Sequence, residues 1–401
     1  MKAPKLTTQI FLGMLLGIFL GHFFKDFATD LKILSDIFLR LIKMIIAPLV
    51  FTTLVMGVAK LGDFKAVSRI GIKTILYFQF ATALALILGL IIVNIFKPGH
   101  FMHIELPAQG AETGVQTQVL NFNDFISHIF PTSIFQALAN NEILPIVIFS
   151  LFFGIAAAAI GEQSKPMIKV IDAAMHIMLK VTNYVMAFAP MGVFGAMAAV
   201  VAKQGIDVLY GYAYLMACFF GGLLFFIFII LFGICTILRI PFFKLLSHIK
   251  EPALLAFSTA SSESAFPKTI QGLENFGCSN RIVSFVLPLG YSFNLDGSIM
   301  YMTFATVFIA QAYGIELSLH QEITMMLILL VTSKGMAGVP RASLVVIAGT
   351  LATFHIPVEG LLLVLGIDQI LDMGRSATNV VGNAVATAVV SKWENELKPL
   401  P

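Results

Sequence analysis

Charge is scarce in this sequence of 401 residues: Asp, Glu, Lys and Arg together make up 12% of it, against about 25% in typical soluble domains. With 58% hydrophobic residues, that deficit excludes an ordinary soluble domain and puts the chain in the membrane class. Cysteine is nearly absent as well. Cys218, Cys235 and Cys278 are far apart, two of them in apolar runs, so the sequence offers neither a disulfide framework nor a metal-ligand spacing. Basic residues do not cluster and the formal net charge is only +3, so no nucleic-acid partner is expected. Tryptophan occurs once. Trp393 follows Lys392 at the end of the last apolar segment, where an interfacial anchor would sit.

What the chain has instead is long apolar runs, at 8–24, 34–58, 71–97, 143–161, 168–202 and 207–238. The run at 168–202 contains Lys180, Asn183 and Pro190, so a tilted or kinked helix is expected there. Two lysines in Met1–Lys5 precede the first run, but no small-residue cleavage site follows, which indicates a retained helix rather than a signal peptide. Lys and Arg are missing altogether from Gly99–Ser164, whereas Lys2, Lys5, Lys60, Arg239, Lys392 and Lys398 lie beside the other runs. The positive-inside rule then puts both termini in the cytoplasm of a multi-pass protein, expected in the bacterial inner membrane. His100 and His103 lack a third ligand and read as loop histidines.

Near the C-terminus, polar residues enter apolar sequence. Asp368, Asp372, Arg375, Asn379 and Asn383 are spaced so that, at 100° per residue, all five fall within about 80° of one helix face. An isolated charge at the bilayer centre costs roughly 2.5–3.5 kcal/mol, so such residues face a bundle interior or a watery site. A mutual salt bridge locking helices together is the plainer reading. Asn379 and Asn383 argue for a substrate or ion path, because they extend the stripe without pairing charge.

The last part also looks doubled. Ser258-Thr-Ala-Ser-Ser-Glu-Ser-Ala-Phe-Pro267 precedes a span at 282–313 that Asn294-Leu-Asp-Gly297 interrupts, and Thr332-Ser-Lys-Gly-Met-Ala-Gly-Val-Pro340 precedes an interrupted span at 358–391. Paired broken segments point to a transporter site at the interface of inverted repeats. Arg375 supplies a fork of donors suited to a carboxylate. Asp372 can hold an ammonium group, and Asn379 can both donate and accept. Together they suit aspartate or glutamate. Backbone N–H groups and hydroxyls at Ser261-Ser-Glu-Ser264 suit a carboxylate, and Asn294 with Asp296 suits Na⁺ or a proton. A serine hydrolase is excluded for want of a base, since none of the eight histidines falls in the later interrupted spans.

These motifs resemble those of the dicarboxylate/amino acid:cation symporter family, the glutamate transporter family, over nearly the whole length. Ser261-Ser-Glu-Ser264, Asn294-Leu-Asp-Gly-Ser298, Gly335-Met-Ala-Gly-Val-Pro340 and the run from Asp368 to Asn379 carry the resemblance, which is nearest to bacterial proton–glutamate symporters. It implies an all-α polytopic protein of eight transmembrane helices plus two re-entrant hairpins at about 245–275 and 321–357, a homotrimer, and an elevator movement. Scaffold helices would occupy 1–73 and 143–206, the third span and an extracellular loop 74–142, the sixth span 207–244, and a substrate-binding core 245–401. By the same resemblance Arg375 holds the side-chain carboxylate, Asp372 the amino group, and Asn379 lies near the α-carboxylate. Ser376 and Ser298 stand where threonine is usual, and backbone at Ser262 and Val339 completes the pocket.

Departures from the family pattern concern the coupling ion. Asn383 stands where sodium-coupled members carry a carboxylate, Phe78, Ala81 and Thr82 replace a Tyr, Thr and Ser cluster, and Lys334 brings positive charge to the second tip. Each lowers the oxygen-rich character that Na⁺ requires, while Glu263 adds a titratable group to the first tip. Proton coupling is therefore expected over sodium, through Glu263, Asn294, Asp296, Lys334, Asp368 and Asn383, with no cofactor. A C4-dicarboxylate:cation symporter, or a sodium-coupled acidic amino acid symporter, is the alternative.

Overall fold

The computed structural model describes residues 6–59, 64–101, 130–140, 142–204, 212–333, 342–365 and 367–398. Among them the chain is helical almost throughout, with no β-strand and an isolated antiparallel bridge between Cys278 and Leu397. Hydrocarbon offers backbone amides no partner, so a spanning chain of this composition must satisfy them within helices. Four helical stretches, Ser68–Phe101, Pro145–Met186, Ala213–Ile237 and Asn280–Ala312, are long and apolar enough to cross a membrane.

The apolar runs of the first half become α1 (Leu6–Phe23), α2 (Lys32–Ala59), α3 (Phe64–Phe96), α4 (Ile143–Ile160), α5 (Lys165–Met186) and α6 (Ala189–Gln204). The run at 168–202 is two helices, parted at Ala187-Phe188 just ahead of Pro190. Pro190 has no N–H to continue the ladder, and its ring would crowd the carbonyl of Met186 four residues back. Along α1, Gly13, Gly17 and Gly21 face α6, and a Cβ at Gly17 would come within 2.6 Å of the Phe194 carbonyl oxygen. Small residues four apart let two helices meet at backbone distance in lipid. α2 gathers α4, α5 and α6 around it, completing a shell.

The second half is the core. α7 (Ala213–Ile237) carries a π-helical stretch at Phe226–Leu231. α8 (Phe242–Thr259) and α9 (Ser262–Phe276) pack on each other and are joined by Ala260 and Ser261 alone, with Ala260 left-handed at φ 49°. The next apolar stretch breaks at Asn294-Leu295 into α10 (Asn280–Phe293) and α11 (Asp296–Ala312). α12 (Leu319–Thr332) and α13 (Ala342–Thr353) form a second packed pair, whose connection lies outside the described residues. A short helix, Leu361–Leu365, leads to α14 (Asp368–Trp393).

The apolar window of Asn280–Ala312 is 89% buried, against 39% for Ala213–Ile237, which makes α10–α11 the axis of the core. α14 packs on α8, α9, α10 and α11, and α3 lies along α11. The shell meets this core through α8, against α1 and α6, through α9, against α2, and through α10, against α2 and α4. Beyond α14, Glu394 is bonded to Arg69 and Lys73 at the start of α3, and Glu396 to Arg281 at the start of α10. Trp393 turns an edge to the Tyr77 ring.

Candidate functional site

All five residues of the polar stripe lie on α14, and packing on the helices around it turns the stripe inward. Asp368, Arg375, Asn379 and Asn383 are buried, while the Asp372 side chain keeps 26% exposure. Arg375 Nη2 donates to Asp368 Oδ1 at 2.9 Å and lies 3.0 Å from Asp372 Oδ1. The guanidinium is stacked on Tyr301 of α11, with Cζ 4.1 Å from the ring centroid. The mutual salt bridge weighed from sequence therefore exists. It does not use up the fork, because Arg375 Nε and Nη1 are buried without a hydrogen-bond partner among the described residues. Buried donors on a fixed charge are costly when unpaired, and a ligand carboxylate is the acceptor that fits them.

Tyr301 escaped the sequence reading. It stands one turn after Ser298 on the same helix face, a spacing that signals a shared side of α11. Asn379 also does something the stripe did not reveal. Its Oδ1 accepts from the backbone N–H of Gly297 at 2.9 Å and of Ser298 at 3.4 Å, and its Nδ2 donates to Ser298 Oγ at 3.1 Å. The amide thus caps the first turn of α11, where orphan N–H groups need an acceptor. Ser376 is buried beside Arg375.

One turn further along α14 is a second polar group. Asn294 Nδ2 donates to Asp296 Oδ2 at 3.2 Å and to Asn383 Oδ1 at 3.3 Å, and all three side chains are buried. Asn294 Oδ1 and Asn383 Nδ2 have no hydrogen-bond partner among the described residues. Two glycines make the room: a Cβ at Gly290 would overlap Asn383 Oδ1, and one at Gly382 would overlap Asp296 Oδ2. On α3, Phe78, Ala81 and Thr82 are buried, and of these only Thr82 has a side-chain oxygen.

The tip between α8 and α9 rests on the same helix, through Ala256 and Ala265 against Val380. Ser261 is extended at the N-cap of α9, with no side-chain cap. The tip hydroxyls are turned to one another instead: Ser264 Oγ donates to the Ser261 carbonyl at 2.8 Å and lies 2.8 Å from Thr259 Oγ1. The first turn of α9, with half-buried Ser262 and Glu263, is left without a side-chain cap of its own. Lys334 and Val339, with the rest of the second tip, lie outside the described residues.

A buried arginine held between carboxylates inside a bundle of apolar helices defines a membrane carrier. The chain belongs to the sodium:dicarboxylate symporter family, whose family model matches residues 6–393. The proton/sodium-glutamate symport protein of Geobacillus stearothermophilus is 44% identical over 407 residues, spanning 99% of this chain and 96% of that protein. A C4-dicarboxylate transport protein of Laribacter hongkongensis (strain HLHK9) is 44% identical over 97% of this chain and 89% of its own. The proton/glutamate-aspartate symporter of Bacillus subtilis (strain 168) is 40% identical over 97% and 95%. The protein is thus a multi-pass membrane protein of a symporter family, and that family is one of transporters rather than enzymes.

Proposed function

We propose that the chain takes up L-glutamate or L-aspartate across the bacterial inner membrane, coupled to protons rather than sodium. The observation that carries this reading is the Arg375 fork, with Nε and Nη1 buried and unpartnered beside Asp372. Arg375 binds the side-chain carboxylate, Asp372 exchanges its contact with Arg375 for the substrate ammonium, and Asn379 with Ser298 and Ser376 borders the α-carboxylate. The uncapped first turn of α9 at Ser262, and the backbone at Val339, close the pocket. Asn383 in place of a carboxylate, with no oxygen from Phe78 or Ala81, supports protons over sodium, and Glu263, Asp296 and Asp368 are the groups that carry them. One monoanion moving with one proton would gain nothing from the membrane potential. Each further proton gains about 2.3 kcal/mol per 100 mV, so more than one is expected.

In this reading α8–α9 and α12–α13 are re-entrant hairpins, the second serving as gate. The scaffold at 1–73 and 143–206 stays fixed in a homotrimer while the core at 245–401 moves as an elevator, with both termini cytoplasmic. Support comes from the division of the chain into a shell and a core that meet through α8, α9 and α10. A second reading, C4-dicarboxylate uptake, draws on the Asp372 contact: an aspartate committed to Arg375 at 3.0 Å leaves no ammonium site. Uptake of labelled glutamate, and separately succinate, into proteoliposomes with proton and sodium gradients imposed one at a time decides both questions. Accumulation of glutamate in a proton gradient alone is the expected result. Dependence on sodium, or uptake of succinate only, defeats the proposal.

A further inference from the structure

α10 carries polar residues that take no part in the Arg375 group. At 100° per residue, Asn280, Ser284 and Tyr291 fall within about 40° of one helix face, and Asn294 follows where the helix ends. Ser284, Tyr291 and Asn294 are buried, and Asn280 is half-buried. Each has a buried side-chain oxygen without a hydrogen-bond partner among the described residues: Asn280 Oδ1, Ser284 Oγ, Tyr291 Oη and Asn294 Oδ1. Such atoms are costly to bury, because each leaves water and gains no bond in exchange.

This face runs beside α9, from its base to its tip. At the base, Asn280 Nδ2 donates to Glu274 Oε1 at 2.6 Å, both residues half-buried. Toward the tip, Tyr291 sets its ring edge-on to Phe266, with centroids 5.1 Å apart. Phe266 is one turn along α9 from Glu263, whose charge reaches the Tyr291 hydroxyl. Between these ends, Pro288 has no N–H to give to the Ser284 carbonyl four residues back. Ser284 therefore offers a hydroxyl and a freed carbonyl at one buried level, which is the setting an internal water occupies. Water that merely satisfies these atoms is the plainer reading. Glu263 at the far end argues for more, since a titratable group at membrane depth needs a relay for its proton.

We propose that water held at Ser284, together with the Tyr291 hydroxyl, forms the path by which a proton carried on Glu263 leaves the protein past Asn280. The Glu263 carboxyl gives its proton to this chain of oxygens. Each water or hydroxyl accepts one proton and passes another on, and the last goes to bulk water beyond Asn280. Glu263 is left as a carboxylate, and only O–H bonds are made and broken. Ser284 and Tyr291 serve proton release alone, so net uptake needs them and exchange of substrate does not. The inference rests on the proton-coupled reading above.

The test uses the full chain in proteoliposomes and compares two rates in the same vesicles: glutamate uptake driven by a proton gradient, and exchange of labelled for unlabelled glutamate. Ser284→Val, which fills the water position, and Tyr291→Phe, which removes one hydroxyl, are each expected to slow driven uptake about tenfold, the weight of one hydrogen bond on a barrier. Exchange should stay native in both, which also shows that the variants are folded. Ser284→Thr keeps the hydroxyl and should stay near native in both rates. If driven uptake and exchange fall together in Ser284→Val and Tyr291→Phe, the two residues are structural and the path is refuted. Native rates of both kinds in these variants refute it as well, and leave proton coupling standing. A native protein that accumulates no glutamate in a proton gradient defeats proton coupling itself, and the path with it.

Discussion

The two helical pairs of the core carry one sequence pattern and have different neighbours. α8–α9 turns in two residues, ties its tip through Thr259 and Ser264, and is enclosed between α14 on one side and α1, α2 and α6 on the other. Among the described residues, α12–α13 packs chiefly on α3 and α11. A pair enclosed on two faces moves only with its surroundings, whereas one packed on a single face opens at lower free energy. Similar local polarity is therefore set in two different surroundings. Their neighbours distinguish the two pairs where their sequences do not.

The comparison presupposes that both pairs close on one floor, the Arg375 fork. Arg375→Cys removes it, and glutamate uptake is expected to fall roughly a hundredfold or more, since a site built to bond an acid rejects what it can no longer pair. Weak uptake of neutral amino acids is the expected residue. Near-native glutamate affinity in this variant would show that the floor lies elsewhere.

Glu263 tests α8–α9. Glu263→Gln preserves shape and removes titration, so it should lose accumulation driven by a proton gradient while keeping exchange of substrate across the membrane. Native accumulation in that variant would move the proton to Asp296 or Asp368. The first outcome assigns the proton to α8–α9, and the second takes it off both pairs to α11 or α14.

How far the sequence foretold this division depends on the kind of signal. The breaks at Ser258–Pro267 and Asn294–Gly297 were legible because small and polar residues interrupt apolar runs, and α8–α9 and α10–α11 meet near those places. The inward stripe was legible because one helix carries all of it. What the sequence hid were contacts made across the chain. Asn379 is occupied by the first turn of α11, and Tyr301 lies beneath Arg375, and both partnerships join residues some seventy to eighty positions apart. Gly290 and Gly382 look like any other glycines until α10, α11 and α14 are brought together, when each turns out to face a polar atom of Asn383 or Asp296.

Gly382 gives a sharper test of that close approach. Gly382→Ala puts a methyl where Asp296 Oδ2 sits and is expected to destabilise by about 1–3 kcal/mol, as overpacking does. Gly221→Ala on α7, with nothing within 4 Å of its new Cβ, is the matched control and should melt at or slightly above the native protein, because alanine is the better helix former. Equal melting of the two variants would mean that α11 and α14 are not so closely joined, and the common floor of the two pairs would lose its support.

The smallest effect is expected at the far end of α14, where both pairs are tied to it indirectly. Glu394 joins α14 to α3, the helix that bears α12, and Glu396 joins it to α10, which follows α9. The Glu394 side chain is 2% exposed, and hydrogen bonding from the Arg69 guanidinium, aided by Lys73, holds its carboxyl below the usual range. A carboxyl lowered on folding stabilises fully above its unfolded value of about 4.3, and that contribution fades as pH falls through the lower folded value. Arg69 is 56% exposed, so solvent screening keeps the effect small, about 1–2 °C in melting temperature. Glu394→Gln should therefore melt slightly below the native protein from pH 7 down to pH 5, and the gap should close on further acidification. A gap that widens in acid would mean a carboxyl raised on folding, the opposite sign. No gap at any pH would show that this end of α14 is held by packing such as Trp393 on Tyr77, and that the link from α14 to α3 does not depend on charge.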